Sequence, residues 1–207
     1  MKGLNPEEAA LIVIDMQNDF CHEDGACGRA GMVDIKAFQA CVEPIAKLVE
    51  QARTLQIPVL YVMMTLDAGT TSDAWKLKHE GGSPAGIVEK GSWGTEMYKL
   101  QPQPGDHLIE KHRYSAFIGT NLDLTLRSLN RKSIVLTGVL TNVCVESTAR
   151  DGFMLDYNVT LASDGCAGSS AEAHAMTLSN ISNYFGQVME SEAILGHWTK
   201  ETTTIPG

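Results

Sequence analysis

The sequence predicts an α/β protein: a three-layer, doubly wound sandwich whose six-stranded, mostly parallel sheet carries helices on both faces. Three observations lead there. Short, almost wholly apolar runs recur along the chain, as strands buried on both faces require. Longer segments with helical spacing of apolar residues separate them, in the alternating order that builds a parallel sheet. The 207 residues, 43% of them hydrophobic, suit a single domain over 1–207 with a sizeable core.

The first run, ALIVID (10–15), reads as a buried strand that stops on a carboxylate. Ile35, Phe38, Val42, Ile45, Leu48, Val49 and Leu55 then fall at helical spacing, with Pro44 marking a kink or a helix start among them. PVLYVMMT (58–65) is the second strand. Residues 66–95 are rich in Gly, Ser and Thr and show no clear period. A patternless stretch of that length reads as a lid or interface loop, and Trp75 and Trp93 on it suit either use. HLIEK (107–111) is the third strand and LDLTLRSL (122–129) a short helix. SIVLTG (133–138) is the fourth strand, followed by a helix over 141–156. NVTLAS (158–163) is the fifth strand, 170–185 a helix, and GQVMES (186–191) the sixth strand.

Composition excludes several functions. Sixteen basic against 25 acidic residues give a formal charge of −9, which disfavours nucleic acid and anionic membranes as partners. The N-terminal MKGLNPEEAALIVID has no long apolar core and no small-residue cleavage site, so neither a signal peptide nor a membrane span is expected. Five cysteines at irregular spacing, without a CxxC pair, point to free thiols and a cytoplasmic setting. No phosphate-binding glycine pattern and no GxSxG elbow occurs, and the loop after the first strand, DMQNDFCHEDG, is too acidic to hold a flavin phosphate. No cofactor is expected. Cys21, His22 and Cys27 lie close together, but no second ligand pair follows them, so no metal is expected either.

In an open parallel sheet the working groups lie beyond the carboxyl ends of the strands. Three chemically capable residues stand at such ends: Asp15, Lys111 and Cys144. Each has an ordinary reading, as a turn cap, a solvated lysine and a small core hydrophobe. Together they form a usable set. Cys144 falls in the first turn of a helix that Thr141 or Asn142 can cap. The positive end of that helix favours a thiolate, and its free N–H groups can bind an oxyanion. The carboxylate can take the thiol proton and return it to a leaving amine, while the cation balances the charge.

At these places the chain resembles the isochorismatase-like cysteine hydrolases, which include nicotinamidases, N-carbamoylsarcosine amidases, biuret and triuret hydrolases and ureidoacrylate amidohydrolases. The matching stretches are LIVIDMQNDF (11–20), EKHRYSAF (110–117) and LTGVLTNVCVESTARDGF (136–153). The resemblance implies a catalytic triad of Asp15, Lys111 and Cys144. It also implies a cis peptide bond at Val139–Leu140, and an oxyanion hole made by the N–H groups of Leu140 and Cys144. A homodimer or homotetramer acting on a small molecule is implied as well.

GSWGTEMYKLQPQPGD (91–106) and KHRYSAF (111–117) look most like the ureidoacrylate and triuret/biuret branch, whose substrates end in a carbamoyl group. Such a group needs hydrogen-bond acceptors beside the oxyanion donors; Asn18 and Tyr114 are the candidates, with Phe20 as an apolar wall. Tyr114 stands where the biuret-type enzymes are expected to carry a second lysine. Family nicotinamidases carry a metal site with Asp-x-His after the second strand, and here MMTLDAGTTSD (63–73) has no histidine. True isochorismatases lack the cysteine. The expectation is a cysteine amidohydrolase that cleaves a small carbamoyl amide through a thioester and releases ammonia. A nicotinamidase-like or isochorismatase-like hydrolase of another small substrate stays open, as does a non-catalytic binding or thiol-sensor protein.

Overall fold

Alternate residues of the first strand point into two different cores. Leu11 and Val13 join one cluster and Ala10, Ile12 and Ile14 the other. A strand apolar on both sides can only be central, and that sets the architecture. The computed structural model describes residues 4–31, 33–79, 84 and 86–202. Six strands form one sheet in the order β3-β2-β1-β4-β5-β6: β1 Ala9–Ile14, β2 Val59–Met64, β3 His107–Lys111, β4 Ser133–Val139, β5 Asn158–Ala167 and β6 Gln187–Met189. Every pairing is parallel, so the sheet is wholly and not mostly parallel. The strand order reverses direction at β1, so the crossovers before β3 cover one face and those after it the other.

Helices α3 (Ile35–Ala40), α4 (Val42–Thr54) and α9 (Ser191–Thr202) cover one face through Phe38, Ile45, Leu48, Ile194 and Trp198. Helices α6 (Leu122–Ser128) and α7 (Glu146–Met154) cover the other through Leu122, Leu126 and Ala149. The periodic segment 34–55 is two helices, not one. Asp34 caps the first by accepting the N–H groups of Lys36 and Ala37, and the second starts two residues before Pro44, where a missing N–H costs nothing. Helix α8 (Ala171–Asn180) ends in a π-helical turn at Ile181–Phe185. Helix α9 has no counterpart in the sequence-based reading.

Short helices α1 (Asn18–Cys21) and α2 (Ala26–Ala30) follow β1, and α5 (Asp73–His79) interrupts the segment read as a loop over 66–95. Residues 80–83 and 85 of that segment lie outside the described residues, as do 1–3 and 203–207 of the chain. One glycine controls the centre of the sheet. Gly138 in β4 has φ +108°, and a Cβ there would sit 2.0 Å from the Ile14 carbonyl oxygen. At this last pair before Asp15 and the Cys144 turn, β1 and β4 therefore approach with no side chain of residue 138 between them.

Candidate active site

All six strands run the same way, so their carboxyl ends share one edge, and the three expected residues meet there. Asp15 follows β1 with φ +53°, its N–H donating to the Val62 carbonyl at 2.9 Å. Lys111 ends β3, two strands from β1 and therefore about 10 Å away. A long side chain is what crosses that gap. Its Nζ lies 2.8 Å from Asp15 Oδ2 and 3.3 Å from Cys144 Sγ, and it donates to the Arg113 carbonyl at 3.1 Å. The ammonium thus donates to Cys144 and Arg113, and its charge faces Asp15. Asp15 and Lys111 have no exposed surface and Cys144 only 3%. The approach to Asp15 is an ion pair and not a well-aligned hydrogen bond, since neither carboxylate oxygen has a hydrogen-bond partner.

Cys144 sits differently from the sequence-based reading. The turn Thr141–Val145 is π-helical, and α7 begins after it. Neither Thr141 nor Asn142 caps it. Thr141 Oγ1 pairs with His174 Nδ1 at 2.9 Å, while Asn142 bonds Ser169 through both ends of its amide. The cap side chains are drawn to the chain after β5, which packs beside the turn. The Leu140 carbonyl accepts the N–H groups of Val143 and Val145, the two neighbours of Cys144. Val139–Leu140 is cis.

Burial dominates the electrostatics. It pushes the Cys144 thiol well above its ordinary value; the adjacent Asp15 pushes it further up, and Lys111 pulls against both. Burial likewise raises Asp15, opposed by Lys111. Burial opposes the Lys111 charge as well, but Asp15 and Cys144 outweigh it and hold the ammonium protonated. Burial thus opposes the charged form at the sulfur and at the carboxylate, and Lys111 offsets part of that cost at both. The resting state leans to thiol, contrary to the thiolate that the helix terminus alone predicts.

The site opens on a cavity of about 860 Å³ whose wall includes Phe20, Tyr114, Leu140, Val143 and Cys144, a size that suits a small molecule. Asn18 is not on that wall. Its amide donates to the Trp93 carbonyl at 3.0 Å, and its neighbours act likewise. Gln17 bonds the Met64 and Thr95 carbonyls and the Met64 N–H, while Asp19 accepts the N–H groups of Ala26 and Val88. Gly94 packs so closely on Asp19 that a Cβ would lie 2.0 Å from its Oδ2. The polar run QND thus straps the 86–96 segment to the strand edge.

Trp75 and His79 of α5 line the cavity. His79 is a wall residue that sequence reasoning missed, although Trp75 and His79 are spaced i,i+4 on one helix face. Asp67, in the place of the metal-site motif of nicotinamidases, folds its carboxylate onto Gly69 and Thr70. Among the described residues no group of three or more His, Cys, Asp or Glu is placed to hold a metal ion, and no helix is long and apolar enough to cross a membrane.

A model of the isochorismatase domain matches residues 9–193. The ureidoacrylate amidohydrolase RutB of Acinetobacter baylyi is 37% identical, the alignment covering 93% of this chain and 84% of that protein. RutB of Stutzerimonas stutzeri is 36% identical over 92% and 83%. Among solved structures, a cysteine hydrolase from Pseudomonas syringae pv. phaseolicola superposes with a TM-score of 0.86 at 31% identity, covering 95% of each chain. N-carbamoylsarcosine amidase from Thermoplasma acidophilum superposes with a TM-score of 0.75 at 28% identity, over 89% of this chain and 97% of that one.

Proposed function

The chain belongs to the isochorismatase family, and on that footing we propose that it is a cysteine amidohydrolase cleaving the terminal C–N bond of a small carbamoyl compound. One observation carries the reading: the Lys111 ammonium touches both the Asp15 carboxylate, at 2.8 Å, and the Cys144 sulfur, at 3.3 Å, in a dry site that opens on a small-molecule cavity. The relatives named as ureidoacrylate amidohydrolases and the structural neighbour named as an N-carbamoylsarcosine amidase support the substrate class.

The steps start from a thiol at Cys144 and a carboxylate at Asp15. Asp15 takes the Cys144 proton as sulfur bonds the carbonyl carbon, so the site stays at one negative charge beside Lys111. The carbonyl oxygen becomes an oxyanion received by the N–H groups of Leu140 and Cys144; one such donor is typically worth ~3 kcal/mol of barrier. Asp15 returns its proton to the nitrogen, the C–N bond breaks, and ammonia leaves. Water then adds to the thioester and gives a proton to Asp15. The C–S bond breaks and the proton returns to sulfur. Phe20 and Tyr114 bound the substrate. Asn18 acts at one remove by holding the Trp93 carbonyl. Five free thiols fit a cytoplasmic enzyme, and the family resemblance supports a homodimer or homotetramer.

The test is ammonia release from ureidoacrylate, biuret, triuret, N-carbamoyl amino acids and nicotinamide, with wild type and Cys144→Ala side by side. Cysteine-dependent release from a carbamoyl compound is the expected result. Release from nicotinamide alone, or release that survives the substitution, removes the reading.

A further inference from the structure

Tyr114 and His79 share a hydrogen bond on the cavity wall, Oη to Nε2 at 2.8 Å, and His79 Nδ1 lies 2.7 Å from the Trp75 carbonyl oxygen. A carbonyl oxygen only accepts, so Nδ1 carries the proton. In the neutral ring Nε2 then offers a lone pair, and Tyr114 must be the donor. Its one O–H is committed to His79, which leaves the oxygen lone pairs for whatever occupies the cavity.

The rings are held in place. Trp75 stacks on His79 with centroids 4.5 Å apart and 29° between planes, and tilts against Tyr114 at 5.0 Å. The Arg113 guanidinium lies over Trp75 at 5.3 Å, fastened to the carbonyls of Thr70 and His112. Tyr114 and His79 line the same cavity as Cys144, and Tyr114 follows Lys111 by three residues on the chain leaving β3.

We propose that His79 is a positioning residue that fixes the Tyr114 hydroxyl as a hydrogen-bond acceptor for the amino group that leaves as ammonia. A freely turning hydroxyl would accept from –NH2 or donate to an oxygen with equal ease. One whose hydrogen is held by His79 can only accept. It matches the N–H groups of a terminal carbamoyl and sets lone pair against lone pair when oxygen takes the nitrogen's place. The Trp75–His79–Tyr114 chain thereby selects amides over esters of the same acyl group. The inference deepens the amide-hydrolase reading above and rests on it.

The test compares a terminal carbamoyl compound that the enzyme cleaves with its methyl carbamate, in which –OCH3 replaces –NH2. The readout is the preference between them in kcat/KM, or in Ki where the carbamate acts only as a competitor. His79→Leu and Tyr114→Phe are each expected to lower the preference for the amide roughly tenfold, the scale of one hydrogen bond. His79→Gln keeps a side-chain oxygen that can accept from Tyr114, and is expected to stay within about threefold of wild type. An unchanged preference in either of the first two variants overturns the proposal. So does an equal fall on both compounds, which marks a merely structural role, or a Gln variant as poor as the Leu variant. Failure of the underlying reading shows separately, as amide cleavage that persists in Cys144→Ala.

Discussion

The two sides of the site are built in opposite ways. Asp15, Lys111 and Cys144 follow the carboxyl ends of β1, β3 and β4 and are almost wholly buried. Helix α5 buries none of its residues and is tied to the rest through Trp75, His79, Tyr114 and Arg113. The strand-end part can hold its charge pair at a set separation because its side chains are buried among packed neighbours. The α5 part makes contacts that alter cheaply. On the proposed reading the contrast is a division of labour: the strand ends carry the bond cleavage, and the segment after β2 selects what is offered to it.

The largest effect that would break this division lies at the sulfur. Cys144→Ala should lower ammonia release at least roughly 10³-fold while the denaturation midpoint barely moves; a loss under tenfold would place the chemistry elsewhere. Next comes Lys111→Met, which leaves Asp15 buried without its partner and should cost ~3–5 kcal/mol in chemical denaturation. Adding Asp15→Asn should recover at least half of that loss. The sign with pH is fixed. With Lys111 gone, Asp15 is raised further above its ordinary 3.8, so the deficit is absent below that value and grows as pH rises toward the folded-state value. A deficit that deepens on acidification would contradict the assigned burial.

A third measurement tests the coupling between Asp15 and the Cys144 thiol. Asp15 raises the Cys144 thiol, so removing its charge in Asp15→Asn should enlarge the thiolate fraction. Alkylation of Cys144 by iodoacetamide at pH 8 should then run roughly tenfold faster than in wild type. In wild type the rate should keep climbing above pH 9. Slower labelling in the variant would reverse the direction. The smallest effect is on the α5 side. Trp75→Ala should change stability by no more than about 0.5 kcal/mol while raising KM for the cleaved amide. A change of several kcal/mol would show that α5 is structural in the same sense as the strands.

The strands are legible in the sequence because runs such as ALIVID and SIVLTG are apolar on both faces, and parallel pairing then brings their ends together. That much places Asp15, Lys111 and Cys144 at one edge. Other features depend on neighbours distant in the chain. The Asn18 amide could face a substrate or a carbonyl, and Trp93, 75 residues on, decides for the carbonyl. Thr141 and Asn142 look like caps until Ser169 and His174 arrive beside them. The thiolate expected from a helix terminus gives way to burial, which periodicity does not reveal. Helix α9 buries Ile194 and Trp198, but Gly196 and His197 between them and the polar residues Thr199–Thr202 after them blur its apolar stripe.

The glycine at 138 has a consequence for how such a catalyst can diversify. Where it meets the Ile14 backbone there is no side chain to trim or enlarge, so the spacing of the strands that lead to Asp15 and Cys144 behaves as a machined stop, not an adjusting screw. Substitutions around the rim can retune which molecule is admitted, generation after generation, without resetting the gauge that the reaction needs.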